Sequence, residues 1–228
     1  ILIDAGTGVG DLTIAELVQI DHVFITHSHL DHVACLPFIV DTVGELRNKP
    51  LTVYATQATI DILRNHIFNW AIWPDFTEIP SAKRPFLRFE AIQLAQPMKF
   101  GQRTISALPA NHTVPAVGYH IDSGEASLVF TGDTTACREL WSEVNKIRNL
   151  RYLIIETAFS NREFQLATAS KHLCPRMLAE ELSNLQHDPD LYITHLKPGQ
   201  IELTMQEVED CIGEFRPRML QNNHVFEF

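Results

Sequence analysis

The chain alternates short apolar runs with amphipathic stretches, and most of the apolar runs stop at a polar side chain able to do chemistry. Runs rich in Val, Ile, Leu and Phe at 1–3, 23–26, 51–56, 127–131, 151–155 and 191–194 read as strands. Residues 86–94 and 103–108 read as two more strands, joined in a meander, and His224 falls in a closing strand. Helices are predicted over 11–20, 33–43, 57–65, 134–149, 175–185 and 204–213. Asp11 is placed to cap the first, and Pro175 suits an early helical position. Strands alternating with helices predict sheets covered by helices, an α/β (α+β) protein. With no internal linker, low-complexity run or repeat, residues 1–228 are expected to form a single domain.

Five apolar runs end in His27, His112, Asp133, Glu156 and His195. Loops that follow buried strands are where a rigid scaffold holds functional groups. The densest of them is His27-Ser28-His29-Leu30-Asp31-His32, with four candidate metal ligands. Neutral imidazole suits zinc and similar ions, and a carboxylate adds a hard oxygen donor. His27 and His29, two apart on extended chain, point the same way and can share an ion. Four ligands exceed what one catalytic ion takes from a protein while keeping a position open, so Asp31 and His32 are assigned to a second ion.

Bulk properties narrow the function. A chain of 228 residues with 45% hydrophobic and 20% charged residues can build a sizeable core. No apolar stretch is long enough for a membrane span. A net charge of -10 opposes a general polyanion-binding surface, while bound cations can still attract a small phosphorylated substrate. Cys35, Cys137, Cys174 and Cys211 lie far apart and form no C-x-x-C pair. They are expected as thiols in a reducing compartment, which makes the cytoplasm the expected location. The chain opens on Ile1 rather than Met, one or two strands are expected ahead of it, and the lack of a leader carries no weight.

His27-x-His29-x-Asp31-His32 resembles the signature of the metallo-β-lactamase superfamily, and His29-Leu30-Asp31-His32-Val33-Ala34 resembles its class II cyclic-nucleotide phosphodiesterase form. Further strings match in kind. Asp4 before a glycine turn resembles the first family motif, and would orient a ligand or the loop. His112-x-x-Pro115-x-x-Gly118-Tyr119 resembles the third histidine motif of the phosphodiesterase branch, and Gly132-Asp133 the fourth. Glu156-x-x-Phe159 and His172 resemble the acid–histidine pair of tRNase Z and class II phosphodiesterases, and Thr194-His195-Leu196-Lys197-Pro198 the final metal motif.

The resemblance implies an αββα four-layer sandwich over essentially the whole chain, and a dinuclear metal site. His27, His29 and His112 would hold one ion, Asp31, His32 and His195 the other, with Asp133 bridging. Two divalent ions, zinc first with manganese or iron as alternatives, would generate a hydroxide that attacks phosphorus. Asp31, His172 and Glu156 are the catalytic candidates, with His172 supported by Glu156 protonating the leaving oxygen. Lys197 and Asn111 are candidate substrate contacts, each balanced by a plainer reading as a solvated lysine and a turn residue.

The expected substrate is a 3′,5′-cyclic nucleotide opened to the 5′-monophosphate. A tRNase Z-like 3′-end endoribonuclease is the first alternative, and thioester or lactam hydrolysis the second. Between His32 and His112 eight Lys/Arg stand against six Asp/Glu with two glycines, so no flexible basic arm for tRNA is evident and nucleic acid is not an expected partner. A metal-dependent binding module without catalysis is disfavoured by the complete ligand set. Phe68, Trp70, Trp73 and Phe76 form an aromatic group that suits a core flap or a homodimer interface better than a nucleobase platform.

Overall fold

A computed structural model describes residues 1–228, which divide into two compact units, Ile1–Gln93 and Leu94–Phe228. The first carries β1 (Leu2–Ile3), α1 (Ile14–Val18), β2 (His22–Phe24), α2 (Leu30–Val33), α3 (Leu36–Val43), β3 (Leu51–Ala55), α4 (Gln57–His66) and β4 (Leu87–Ala91). Its four strands form one parallel sheet in the order β1-β2-β3-β4. Val23, Leu51, Val53 and Leu87 from the strands meet Leu36, Val40 and Leu63 from the helices in one core, all fully buried. Parallel strands need helical crossovers, which the amphipathic α3 and α4 supply.

The second unit carries β5 (Met98–Phe100), β6 (Arg103–Pro109), β7 (Val117–Asp122), β8 (Ser127–Phe130), α5 (Arg138–Val144), β9 (Leu150–Glu156), α6 (Phe164–Ser170), α7 (Pro175–Leu182), β10 (Asp190–Thr194), α8 (Ile201–Ile212) and β11 (Arg218–Met219). These make a seven-stranded sheet in the order β11-β10-β9-β8-β7-β6-β5. Strands β5 to β8 pair antiparallel, and β8 to β11 pair parallel. The interior strand β9 is buried from Tyr152 to Glu156, as the unbroken apolar run Tyr-Leu-Ile-Ile requires. Since β6 reaches β8 through two antiparallel steps, the C-terminal ends of β6, β8, β9 and β10 share one edge of the sheet.

Several element boundaries differ from the sequence expectation, each for a local reason. The helix expected over 33–43 is two helices, because Pro37 cannot continue the ladder of a preceding turn. The first helix is capped by Thr13 rather than Asp11, through a capping box with Glu16. The helix expected over 134–149 shrinks to Arg138–Val144, since the amides of Thr134 and Thr135 bond instead to Glu156 Oε1 and the Asn111 carbonyl. The strand expected over 86–94 does not meander with β6; it pairs parallel with β3, Leu87 opposite Leu51. His224 lies outside any strand. The aromatic group divides: Phe68 and Phe76 are buried in the first core, Trp73 packs edge-on against Phe38, and Trp70 is exposed. No helix is long and apolar enough to cross a membrane.

Candidate metal centre

Sequence and topology place the polar motifs just beyond strand ends. His27 follows β2 by three residues, His112 follows β6 by three and Asp133 follows β8 by three; Glu156 closes β9, and His195 comes directly after β10. Two of these turns need special backbone. Gly132, just before Asp133, sits at φ 60, in the left-handed region open to glycine, and His195 itself adopts φ 61.

In the first unit the loop after β2 gathers three imidazoles. The His27 ring lies 4.7 Å from that of His29 and 4.1 Å from that of His32. His27 Nε2 and His29 Nδ1 approach to 3.1 Å. Asp31 is mostly exposed, with Oδ2 3.9 Å from His32 Nε2. Beneath them Asp4 organises the loop. Its carboxylate accepts from the Thr26 amide and hydroxyl and lies 2.6 Å from His32 Nδ1. A carboxylate can only accept, so His32 carries its hydrogen on Nδ1 and Nε2 becomes the electron-pair donor. Thr26 Oγ1, having donated to Asp4, accepts from His27 Nδ1 at 3.0 Å, which assigns His27 the same tautomer. The loop after β1 clamps the motif by backbone as well: Ala5 N donates to His32 O at 2.7 Å. A Cβ on Gly6 would stand 1.9 Å from Asp31 O, so only glycine permits this approach.

In the second unit Asp133, 3% exposed, faces three imidazoles. Its Oδ2 lies 3.4 Å from His195 Nε2, 3.9 Å from His112 Nε2 and 4.0 Å from His172 Nδ1. Ligand atoms of Asp133, His172 and His195 fall within 4.8 Å of one another. His112 Nδ1 donates to the Lys171 carbonyl at 3.0 Å, so its Nε2 is again the electron-pair donor. The His172 and His195 rings stack at 5.2 Å, 18° from parallel.

Glu156 is fully buried. Its carboxylate receives the amides of Thr134, Ala158 and Leu173, and His172 Nδ1 stands 2.7 Å from Oε1. Burial pushes the carboxyl pKa up, and the His172 hydrogen bond pulls against that shift. Cys137 is the residue that caps α5 and Cys174 the one that caps α7, so neither Asp133 nor His172 serves as a helix cap.

The two candidate substrate contacts have different surroundings. The Asn111 amide is committed inside the fold, Nδ2 donating to Ala136 O and Oδ1 accepting from Lys171 Nζ. Lys197 Nζ lies 3.0 Å from His195 Nε2. Two residues to which the motif reading assigned no role prove central to positioning. Thr26 links Asp4 to His27, and Lys171, at φ 54, holds His112 through its carbonyl and donates Nζ to the His112 carbonyl at 3.0 Å. Thr26 could have been found as the hydroxyl directly before the first histidine; nothing local marks Lys171.

A two-sheet α/β architecture with histidines and aspartates after strand ends defines a metallohydrolase class of fold, with donors suited to divalent metal. The chain belongs to the family described as the beta-lactamase superfamily domain, which matches residues 1–208. It is 29% identical over 206 residues to a probable 3′,5′-cyclic-nucleotide phosphodiesterase of Yersinia pestis, covering 79% of this chain and 58% of that protein. The chain thus spans little more than half the length of that relative. It is 31% identical over 124 residues to a ribonuclease Z of Thermococcus kodakarensis, covering 52% of this chain and 36% of that one. Among solved structures, unliganded yeast PDE1 superposes with a TM-score of 0.77 at 24% identity, over 90% of this chain and 67% of that one. The fold is therefore the metallo-β-lactamase fold, a mixed α/β protein with two sheets.

Proposed function

We propose that this chain acts as a dinuclear-metal phosphodiesterase, hydrolysing 3′,5′-cyclic nucleotides to nucleoside 5′-monophosphates. The observation that carries the reading is the 2.7 Å contact between His172 Nδ1 and Glu156 Oε1. Opening a phosphodiester expels an alkoxide, a poor leaving group unless it is protonated, whereas thioester or lactam hydrolysis on the same fold has no need of such a pair. The name of the Yersinia relative, matched over 79% of this chain, supports a cyclic nucleotide as the diester.

In this reading His27, His29 and His112 would hold one ion, Asp31, His32 and His195 would hold a second, and Asp133 would serve both. The donor set fits: neutral imidazoles whose remote nitrogens are held by Asp4, Thr26 and Lys171, together with carboxylates, suit zinc first, and also manganese or iron. When bound, two such ions supply charge to the phosphate oxygens and acidify a water to near neutrality. The residues do the rest. Water adds to phosphorus as the P–O3′ bond breaks; the His172 imidazolium gives its Nε2 proton to O3′, and the proton lost by the water restores that imidazolium at the end of the cycle. The buried Glu156 carboxylate keeps Nδ1–H in place, so the ring turns only Nε2 to the reaction. Lys197 adds a cation for the product phosphate. Asn111, bonded to the Ala136 carbonyl and Lys171 Nζ, braces the His112 segment.

A ribonuclease Z-like reaction is the second reading, favoured by the 31% identical relative. The test is hydrolysis of cAMP, cGMP and a short pre-tRNA by metal-loaded protein beside His172→Ala. Turnover of a cyclic nucleotide, inert pre-tRNA and a large loss in the variant are expected. Cleavage of pre-tRNA alone moves the chain to the second reading. A protein that holds two ions yet turns over neither refutes the substrate assignment.

A further inference from the structure

The loops that enter β3 and β4 carry a feature unrelated to the candidate metal centre. Because these strands pair in parallel, with Leu51 N donating to Phe86 O at 2.8 Å, segments 47–50 and 80–88 are brought side by side. They enclose a cavity of about 450 Å³ lined by five cations, Arg47, Lys49, Lys83, Arg84 and Arg88, and by no carboxylate. It lies at the N-terminal edge of the sheet, opposite the edge where β2 delivers His27. On a chain with net charge -10 such a gathering is not a sample of average surface.

The cations are only partly neutralised. Asp21 pairs with Arg47 at 2.6 Å and Lys49 at 2.7 Å, and no ion pair holds Lys83, Arg84 or Arg88. Arg47 is the built element. Its side chain is 4% exposed, fixed by Asp21 and by the Val18 carbonyl, yet its buried Nε has no hydrogen-bond partner. The rest of the lining is two polar residues, Asn48 and Ser81, and an apolar set, Phe86, Pro50, Pro80 and Pro85. Phe86 is backed by Gly44 in the turn that ends α3, where a Cβ would come within 2.6 Å of the ring.

We propose that this cavity binds a nucleoside polyphosphate, its phosphates among the cations and its base against Phe86 and the prolines. Five cations against one carboxylate exceed what a single phosphate would neutralise, and inorganic polyphosphate would leave the apolar wall unused. The volume falls in the range of small-ligand sites, about 300–1,000 Å³. A long nucleic acid would need an extended basic stripe, which a chain of net charge -10 opposes. The proposal stands independently of the phosphodiesterase reading.

The test is calorimetric titration of the whole chain with ATP, pyrophosphate and a short single-stranded RNA, on wild type and on Lys83→Glu/Arg84→Glu. Both positions are exposed, so the double variant should keep its melting temperature and its phosphodiester hydrolysis. Expected are saturable ATP binding, weaker binding of pyrophosphate, and a loss of more than about tenfold in ATP affinity in the variant, because like charges now meet the phosphates. ATP binding that survives the double variant belongs elsewhere on the chain and overturns the proposal. So do absent ATP binding, pyrophosphate binding as tight as ATP, and RNA that displaces ATP at lower concentration.

Discussion

Asp4 Oδ2 lies 2.6 Å from His32 Nδ1, a contact that joins residues 28 apart in the chain. The same carboxylate accepts from the amide and hydroxyl of Thr26, and that hydroxyl touches His27 Nδ1. One acidic group at the end of β1 thereby sets the tautomer of two histidines in the loop after β2.

Asp4→Ala should therefore weaken metal binding without removing any ligand. Losing a group that orients metal-ligating histidines typically costs about 10–100-fold in affinity. Competition with a chromogenic chelator would read the change directly, and circular dichroism would show the fold retained. A variant that holds its ions as tightly as wild type would deny Asp4 this role.

The His172 and Glu156 pair predicts an effect that depends on the leaving group. His172→Ala should slow hydrolysis of a cyclic nucleotide by about 10²–10⁴-fold, the usual worth of a general acid. A nitrophenyl phosphodiester, whose leaving oxygen needs no proton, should lose far less. Equal losses on both substrates would mean that His172 acts through the metals or the fold.

Glu181 offers a stability test away from the polar centre. Its Oε2 accepts from Trp141 Nε1 at 2.7 Å and from the Cys137 amide at 3.0 Å, tying α7 to the start of α5. Trp141 is 2% exposed, so Glu181→Ala strands donors that water reaches poorly. The expected cost is about 1–3 kcal/mol, seen as a lower urea midpoint at unchanged slope. Glu181→Gln keeps an acceptor and should lose less.

His120 predicts a pH dependence of stability. Burial lowers its pKa, with Asp122 partly opposing, and its Nε2 is buried without a hydrogen-bond partner. The unfolded chain then binds this proton more readily than the folded one. Stability from this residue is intact above the unfolded value of about 6.5, and is lost as pH falls from there towards the lower folded pKa. His120→Leu, on the same interior strand between Ser106 and Val129, should flatten that part of the curve in urea unfolding at stepped pH. A slope equal to wild type would place the titration on other groups.

Much of the candidate site was legible from local sequence. Metal-ligand spacing after a buried strand is a short-range signal, because strand period and turn chemistry act over a few residues. That is why His27, His29, Asp133 and His195 could be singled out, and why β9 was visible as an apolar run. Helix limits were less legible: whether Thr134 enters a helix depends on Glu156, 22 residues away, taking its amide.

What the sequence alone determined about this protein is its family, its strand-then-ligand order and its supply of donor atoms. Tertiary structure decided which nitrogen of each histidine is turned outward, through Asp4, Thr26 and the Lys171 carbonyl. It also decided where charge gathers. Between His32 and His112 the cations outnumber the acids only eight to six, an average that hides five of them around one cavity. Parallel pairing of β3 with β4 brings 47–50 beside 80–88, and no local pattern encodes that meeting. Propensity and periodicity act along the chain; hydrogen-bond partners and charge clusters are set by what folding brings together across it.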